Sequence, residues 1–206
     1  MTKRIQDSKS EQVIAEYLDT YFYPVHFPNY SRLNDKENQL KGIDTIITKN
    51  GISKTVDEKS AIHYVNKNLP TFAFELNFKL HTGELVDGWF FDIHKTTELY
   101  LLSWISADVT ENFGKDDVSN LEIILIERKR LIGALSDYGY TKESVMSIAK
   151  SIRENNVGGV SNKVEGIPCY FYLTNHLSEN PLNLVIKKSF LSTHAFLHVN
   201  IKPHRL

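Results

Sequence analysis

An α/β domain built on a mixed β-sheet is what this sequence predicts. Three observations carry that: a strongly periodic helix near the start, a hairpin signal at Asn50-Gly51, and short apolar runs of strand length beyond it. Of the 206 residues, 41% are hydrophobic and 24% charged, which is enough apolar surface for a core and excludes the disordered and fibrous classes. One domain spanning 1–206 is expected, since no internal repeat, low-complexity tract or shift in composition marks a boundary.

The first helix is expected from Ser8, which with Glu11 three residues on reads as a capping box. The apolar set Val13, Ile14, Tyr17, Leu18, Tyr21 and Phe22 then carries it to Pro24. Residues 42–60, GIDTIITKNGISKTVDEKS, are two β-branched runs around Asn50-Gly51, the dipeptide favoured in two-residue type I′ turns. Residues 71–79 alternate and are expected as a third strand, with His81-Thr82-Gly83 turning into a fourth that includes Trp89, Phe90 and Phe91. Residues 99–105 and 121–126 are buried-strand candidates. Val145, Ile148, Ala149 and Ile152 share a helical face within 141–155, ended by Gly158-Gly159. Strands at 169–174 and 183–186 and a helical stretch at 188–195 complete the expected elements.

Charge and cysteine content narrow the function classes. With 24 Lys and Arg against 25 Asp and Glu, there is no global positive field, so a nucleic-acid partner must be held by a local patch. The single cysteine, Cys169, excludes an intramolecular disulfide and a cysteine-built zinc site. Without a long apolar run or an apolar leader, no membrane partner is expected and a cytoplasmic location is. No GxSxG elbow and no phosphate-cradling glycine loop is present. His194 and His198 have helical ligand spacing, but alternation through Phe196, Leu197, Val199 and Ile201 predicts a strand that breaks it.

The hairpin carries the chemistry. With Asn50 and Gly51 as turn residues, cross-strand partners have numbers summing to 101, which sets Asp44 opposite Asp57. Period-two alternation puts Lys59 on the face of Asp57 and turns Glu58 away. Like charges directly opposite are destabilising, so the pair calls for a cation, and one or two carboxylates with open water positions suit Mg²⁺. Three (D/E)xK triplets occur, at Asp7-Ser8-Lys9, Asp57-Glu58-Lys59 and Glu127-Arg128-Lys129; only the second has an acid across a hairpin.

Gly42-Ile43-Asp44 followed by Asp57-Glu58-Lys59 resembles the PD-(D/E)XK nuclease superfamily, the fold of type II restriction endonucleases, with Ile43 in place of the nominal proline. The resemblance covers mainly residues 8–80, leaving about 120–206 as a C-terminal elaboration. It implies a restriction-endonuclease-like core: one helix and an antiparallel three-stranded meander bearing the acids and the lysine, in a mixed sheet flanked by helices. It also implies DNA as partner and hydrolysis of its phosphodiester bonds with Mg²⁺, or Mn²⁺ as a substitute. Asp44 and Asp57 would hold metal with the main-chain carbonyl of Glu58, while Lys59 would serve the attacking water or the phosphate. Relatives often add an acid from the first helix, for which Glu16 is the candidate. Glu75, flanked by apolar residues on the expected third strand, is a further candidate catalytic and metal-binding acid, and Gln39 resembles a polar residue preceding the first acid. A homodimer would serve to cut both strands. The alternative is a nuclease-like fold kept as a non-catalytic DNA-binding or protein-interaction module.

Overall fold

A computed structural model of the chain describes residues 3–156 and 158–203, with side chains described from Asp7 onward. In chain order the elements are α1 (Lys3–Tyr17), continued by a π-helical turn (Leu18–Phe22) into α2 (Tyr23–His26), then β1 (Tyr30–Arg32), α3 (Lys36–Leu40), β2 (Thr45–Lys49) and β3 (Ile52–Ser60). Next come β4 (Thr71–Lys79), β5 (Leu85–Asp87), β6 (Leu99–Ala107), β7 (Val118–Glu127), α4 (Arg128–Ser136) and α5 (Lys142–Asn155). The chain closes with β8 (Gly159–Ser161), β9 (Cys169–Leu173), β10 (Leu182–Lys187), α6 (Lys188–Thr193) and β11 (Leu197–Ile201). The class is α/β with a mixed, multi-stranded sheet flanked by helices.

The chain divides into two compact units, one of residues 1–69, 96–128 and 195–206, the other of 70–95 and 129–194. The first holds a six-stranded sheet in the order β1-β2-β3-β6-β7-β11, parallel only where β6 joins β3. Every residue of β6 except Ser106 is buried, the continuous apolar pattern of a strand covered on both faces. Ile14, Tyr17, Leu18 and Phe22 pack with Val56, Leu99, Leu101, Ile105, Ile123 and Leu125 in one core, so α1 covers the sheet face that those strand residues share. Tyr17 donates its hydroxyl to the Ile201 carbonyl at 2.9 Å, tying α1 to the far edge strand.

The second unit holds a five-stranded antiparallel sheet, β5-β4-β10-β9-β8. Phe72, Phe74 and Leu76 of β4 and Phe171 and Leu173 of β9 are buried, as is the α5 stripe of Val145, Ala149 and Ile152. Thr141 caps α5, its hydroxyl accepting from the Ser144 amide at 3.2 Å. Arg153 at the other end donates through Nε to Asn77 Oδ1 at 2.8 Å, fastening α5 to β4.

Several expected elements differ. The helix begins by Lys3, so Ser8 lies inside it and forms no capping box, because the polar residues before it have good helix propensity. Pro24 does not end the helical path: it falls in the first turn of α2, where a missing N–H is tolerated. A three-stranded antiparallel meander is present, but it is β1-β2-β3, one strand earlier than expected. Residues 71–79 form β4 in the other sheet, and β6 takes the place beside β3. Its unbroken apolar run suits a central parallel position, whereas β4 alternates and suits an antiparallel sheet. Trp89, Phe90 and Phe91 lie in a turn after β5, with the Phe90 ring 4.9 Å from that of Phe74.

Candidate active site

Hairpin register follows from the turn. Asn50 and Gly51 have φ of +53° and +76°, both left-handed as a type I′ turn requires, and all five pairs of β2 with β3 sum to 101, from Lys49 with Ile52 to Thr45 with Val56. One residue beyond the ladder, Asp44 is pinned by its main chain. Its amide donates to the Val56 carbonyl at 2.9 Å and its carbonyl accepts from the Leu33 amide at 2.8 Å. Gly42, at φ +69°, makes the bend that delivers it, and the Gly42 carbonyl accepts from Thr97 Oγ1 at 2.7 Å.

Asp44, Asp57 and Lys59 converge as expected. Lys59 Nζ lies 2.5 Å from Asp57 Oδ1, and Asp44 Oδ2 accepts the Glu58 amide at 2.7 Å. Asp57 is 2% exposed, while Lys59 keeps 29% of its side-chain surface in solvent. The other carboxylate oxygen of Asp57, Oδ2, is buried and receives no hydrogen bond among the described residues. Burial pushes the Asp57 carboxyl up to about 6; Lys59 opposes the shift and Asp44 adds to it. For Lys59, burial alone would lower the pKa, but Asp57 and Asp44 outweigh it and hold the ammonium above its ordinary value. Lys59 therefore acts as a fixed positive charge.

Of the two exposed glutamates on α1, Glu11 rather than Glu16 is the one that interacts with this cluster. Glu11 is within electrostatic reach of Lys59 and Asp44, and its carboxyl is raised by desolvation and by Asp7 and Asp44 against the pull of Lys59. Glu16 is exposed and accepts from Gln12 Nε2 at 3.4 Å; five residues on, it stands about 140° around the helix from Glu11. Glu11 stands at helical spacing from Ile14 and Leu18, at the exposed head of the stripe that they continue, so the sequence marks which side of the helix it lies on. Glu75 lies half-buried on β4 in the second unit, where it is opposite Asn183 of β10 and its carbonyl accepts from the Phe90 amide at 3.2 Å; it belongs to a different sheet from Asp44 and Asp57. Gln39 is exposed on α3, its carbonyl accepting from Gly42.

Glu58 turns to the opposite face, as expected, and meets a network that the sequence did not reveal. Its carboxylate accepts from Tyr23 Oη at 2.6 Å, Thr45 Oγ1 at 2.8 Å and both terminal nitrogens of Arg32 at 3.1 Å. Arg32 also grips Asp19, at 2.7 and 3.0 Å, and lies over the Tyr23 ring. Burial raises the Glu58 carboxyl, against the pull of Arg32 and Tyr23. A second unforeseen neighbour is Tyr100, the register partner of Asp57 on β6. Burial raises its hydroxyl; Arg128, hydrogen-bonded to it, opposes that, and Asp57 adds to it.

Among the described residues no three His, Cys, Asp or Glu side chains gather into a ready ligand set. The donors that fit a hard divalent cation are the carboxylates of Asp44 and Asp57, with water completing the shell in the manner Mg²⁺ prefers. The orphaned Asp57 Oδ2, beside a second carboxylate, is the observation that makes them fit. His194 belongs to the end of α6 and His198 to β11, where its Nε2 lies 3.0 Å from Glu122, so they form no ligand pair. No helix among the described residues is long and apolar enough to cross a membrane. Compared with family models, with curated proteins and with solved structures, the chain matches none.

Proposed function

We propose that the chain is a metal-dependent nuclease that hydrolyses phosphodiester bonds of DNA, with a restriction-endonuclease-like core and Mg²⁺ as cofactor. One observation carries this reading: a buried carboxylate oxygen without a donor among the described residues, next to a second acid and an ammonium, on the strand that the hairpin registers. The meander β1-β2-β3 under α1 supports the core assignment. Bound at Asp44 and Asp57, Mg²⁺ would supply Lewis-acid stabilisation and a more acidic water.

The chain's own groups do the rest. Asp44 is fixed by the Glu58 amide, and the Glu58 side chain, locked on the far side, holds the strand that aims Asp57 and Lys59. Lys59, protonated and partly exposed, stabilises the negative charge that develops on the phosphoryl oxygens. Glu11, exposed and raised in pKa, would accept the proton of the attacking water. Water oxygen forms a bond to phosphorus as one phosphoester P–O bond breaks, and the departing oxygen takes a proton from solvent water, leaving a phosphate monoester and a free hydroxyl. A homodimer of such sites would cut both strands.

The test is incubation with supercoiled, linear, branched and single-stranded DNA, with and without Mg²⁺ or Mn²⁺. Cleavage should require the metal and fall about a thousandfold in Asp57→Asn and in Lys59→Met, a loss near 4 kcal/mol of transition-state stabilisation. Cleavage at the wild-type rate by either variant refutes the assignment.

A further inference from the structure

Past the end of β3 the first unit contains a cavity of about 360 Å³ that the proposed chemistry does not use, a size suited to a small ligand. Its floor is apolar: Ile62, Val65 and Phe113, the last two 4% and 5% exposed. Polar groups surround that floor, with Asp7 and Ser10 from α1, His63 and Lys67 from the segment after β3, and Glu111 and Asn112 from the β6–β7 connection. Asp7 precedes Glu11 by one turn of α1, and its charge acts on Glu11 together with those of Lys59 and Asp44, so the cavity adjoins the acid cluster.

Both walls are held in place. Asn66, in the left-handed region at φ +61°, donates through Nδ2 to the Ala107 carbonyl at 2.8 Å and accepts the Ala107 amide at 2.9 Å, while its own amide donates to Ile105 at 2.9 Å. At the ends of the β6–β7 connection, the Asp117 carboxylate accepts the Gly114 amide at 2.7 Å and its carbonyl accepts the Asp108 amide at 2.8 Å. These bonds fix the ends of the two segments that line the cavity.

An apolar floor ringed by donors and acceptors suits a flat heteroaromatic ring with polar edges. The Asp7 and Glu111 carboxylates repel phosphate, so the ring enters and the backbone stays outside, where Lys67 is the cation available to it; the His63 ring lies beside Asp7, with Nε2 3.6 Å from Oδ1. We propose that this cavity takes one unpaired nucleobase of the DNA strand running past the Asp44–Asp57 pair. The inference rests on the nuclease reading and specifies its substrate as DNA with an unpaired nucleotide near the cut. A base stacked in a duplex cannot enter such a pocket without being extruded, whereas a single-stranded one enters at little cost. Carboxylates accept from exocyclic amino groups, so cytosine, adenine and guanine fit and thymine, which has none, fits less well.

Fluorescence anisotropy of short labelled oligonucleotides with the Asp57→Asn protein, which binds without cutting, tests this. Oligo-dC should bind about tenfold more tightly than oligo-dT, and the double variant Glu111→Ala/Asn112→Ala, at two exposed positions, should erase that difference while leaving blunt duplex binding unchanged. Equal affinity for oligo-dC and oligo-dT overturns the proposal. So does an oligo-rC affinity equal to that of oligo-dC, which would assign the cavity to RNA, or saturation by dCMP alone at the same concentration, which would assign it to a free nucleotide. Cleavage by the wild-type protein is scored separately. Cleavage without a cavity-dependent base preference removes the base site alone, whereas a cavity-dependent preference without cleavage keeps it and removes the nuclease.

Discussion

Asp57 and Glu58 are consecutive acids on one strand, and they stand in opposite electrostatic situations. Glu58 faces four donated hydrogen bonds from Tyr23, Thr45 and Arg32, and its ion pair continues to Asp19. Asp57 faces one ammonium and another carboxylate, with one buried oxygen that no donor among the described residues reaches. A buried acid with a complete set of partners holds the fold together. A buried acid left incomplete costs stability and persists where something outside the chain completes it. Strand alternation thus separates a fully partnered acid from an incompletely partnered one within two residues.

Removing the structural acid should have the larger effect. Glu58→Ala removes one of the two carboxylates that hold the Arg32 guanidinium, leaving Asp19, and takes the acceptor from the Tyr23 hydroxyl, in a network where the Arg32 and Glu58 side chains are 17% and 9% exposed. A loss of about 3 to 5 kcal/mol in unfolding free energy is expected, read from urea titration. A loss below about 1 kcal/mol would show that the network is not what anchors β3.

On the other face the sign reverses. The Asp57 carboxyl is raised from 3.8 to about 6, so the folded state holds its proton more tightly than the unfolded chain does. Stability from this group is then fully present below about pH 4 and is lost as the pH rises through 6, by about 3 kcal/mol in all. Asp57→Asn cannot lose it. In metal-free buffer, the difference in unfolding free energy between Asp57→Asn and wild type should therefore grow in favour of the variant from pH 4 to pH 7. A difference that stays flat over this range would mean that Asp57 is satisfied after all.

A cation that completes Asp57 should return what the bare site lacks. At a hundredfold excess over its dissociation constant, Mg²⁺ should raise wild-type stability by about 2.7 kcal/mol, seen as an upward thermal shift. No shift is expected for Asp57→Asn, and Glu16→Gln should shift like the wild type, whereas Glu11→Gln should weaken the response. Equal shifts in all four proteins would mark a non-specific salt effect.

How much of this was legible in the sequence depended on the range of the forces involved. The facing of Asp44, Asp57 and Lys59 was readable because a two-residue turn and period-two alternation are local and leave one register. The strand beside β3 was not, because β6 joins it only after a long excursion of the chain, and nothing near residue 60 encodes that choice. Tyr30–Arg32 is too short to show alternation, so Arg32 gave no sign that it would pair with Glu58. Glu11 was masked by a competing local reading as a capping-box residue, while its helical spacing from Ile14 and Leu18 put it at the exposed head of their stripe.

The turn sits farthest from either acid, and it gives the smallest expected effect. Gly51 has φ +76°, and a Cβ built there meets nothing within 4 Å, so Gly51→Ala adds no collision and costs only the left-handed backbone, about 1 kcal/mol. Because five cross-strand pairs and the Asp44 amide bond to Val56 hold the register independently, the variant should keep both faces of β3 in place. Its metal-induced thermal shift should match the wild type although its baseline stability is lower. If that shift disappears with the loss of a single turn glycine, the register is set by the turn alone, and the pinning of Asp44 by Val56 and Leu33 does not position the site.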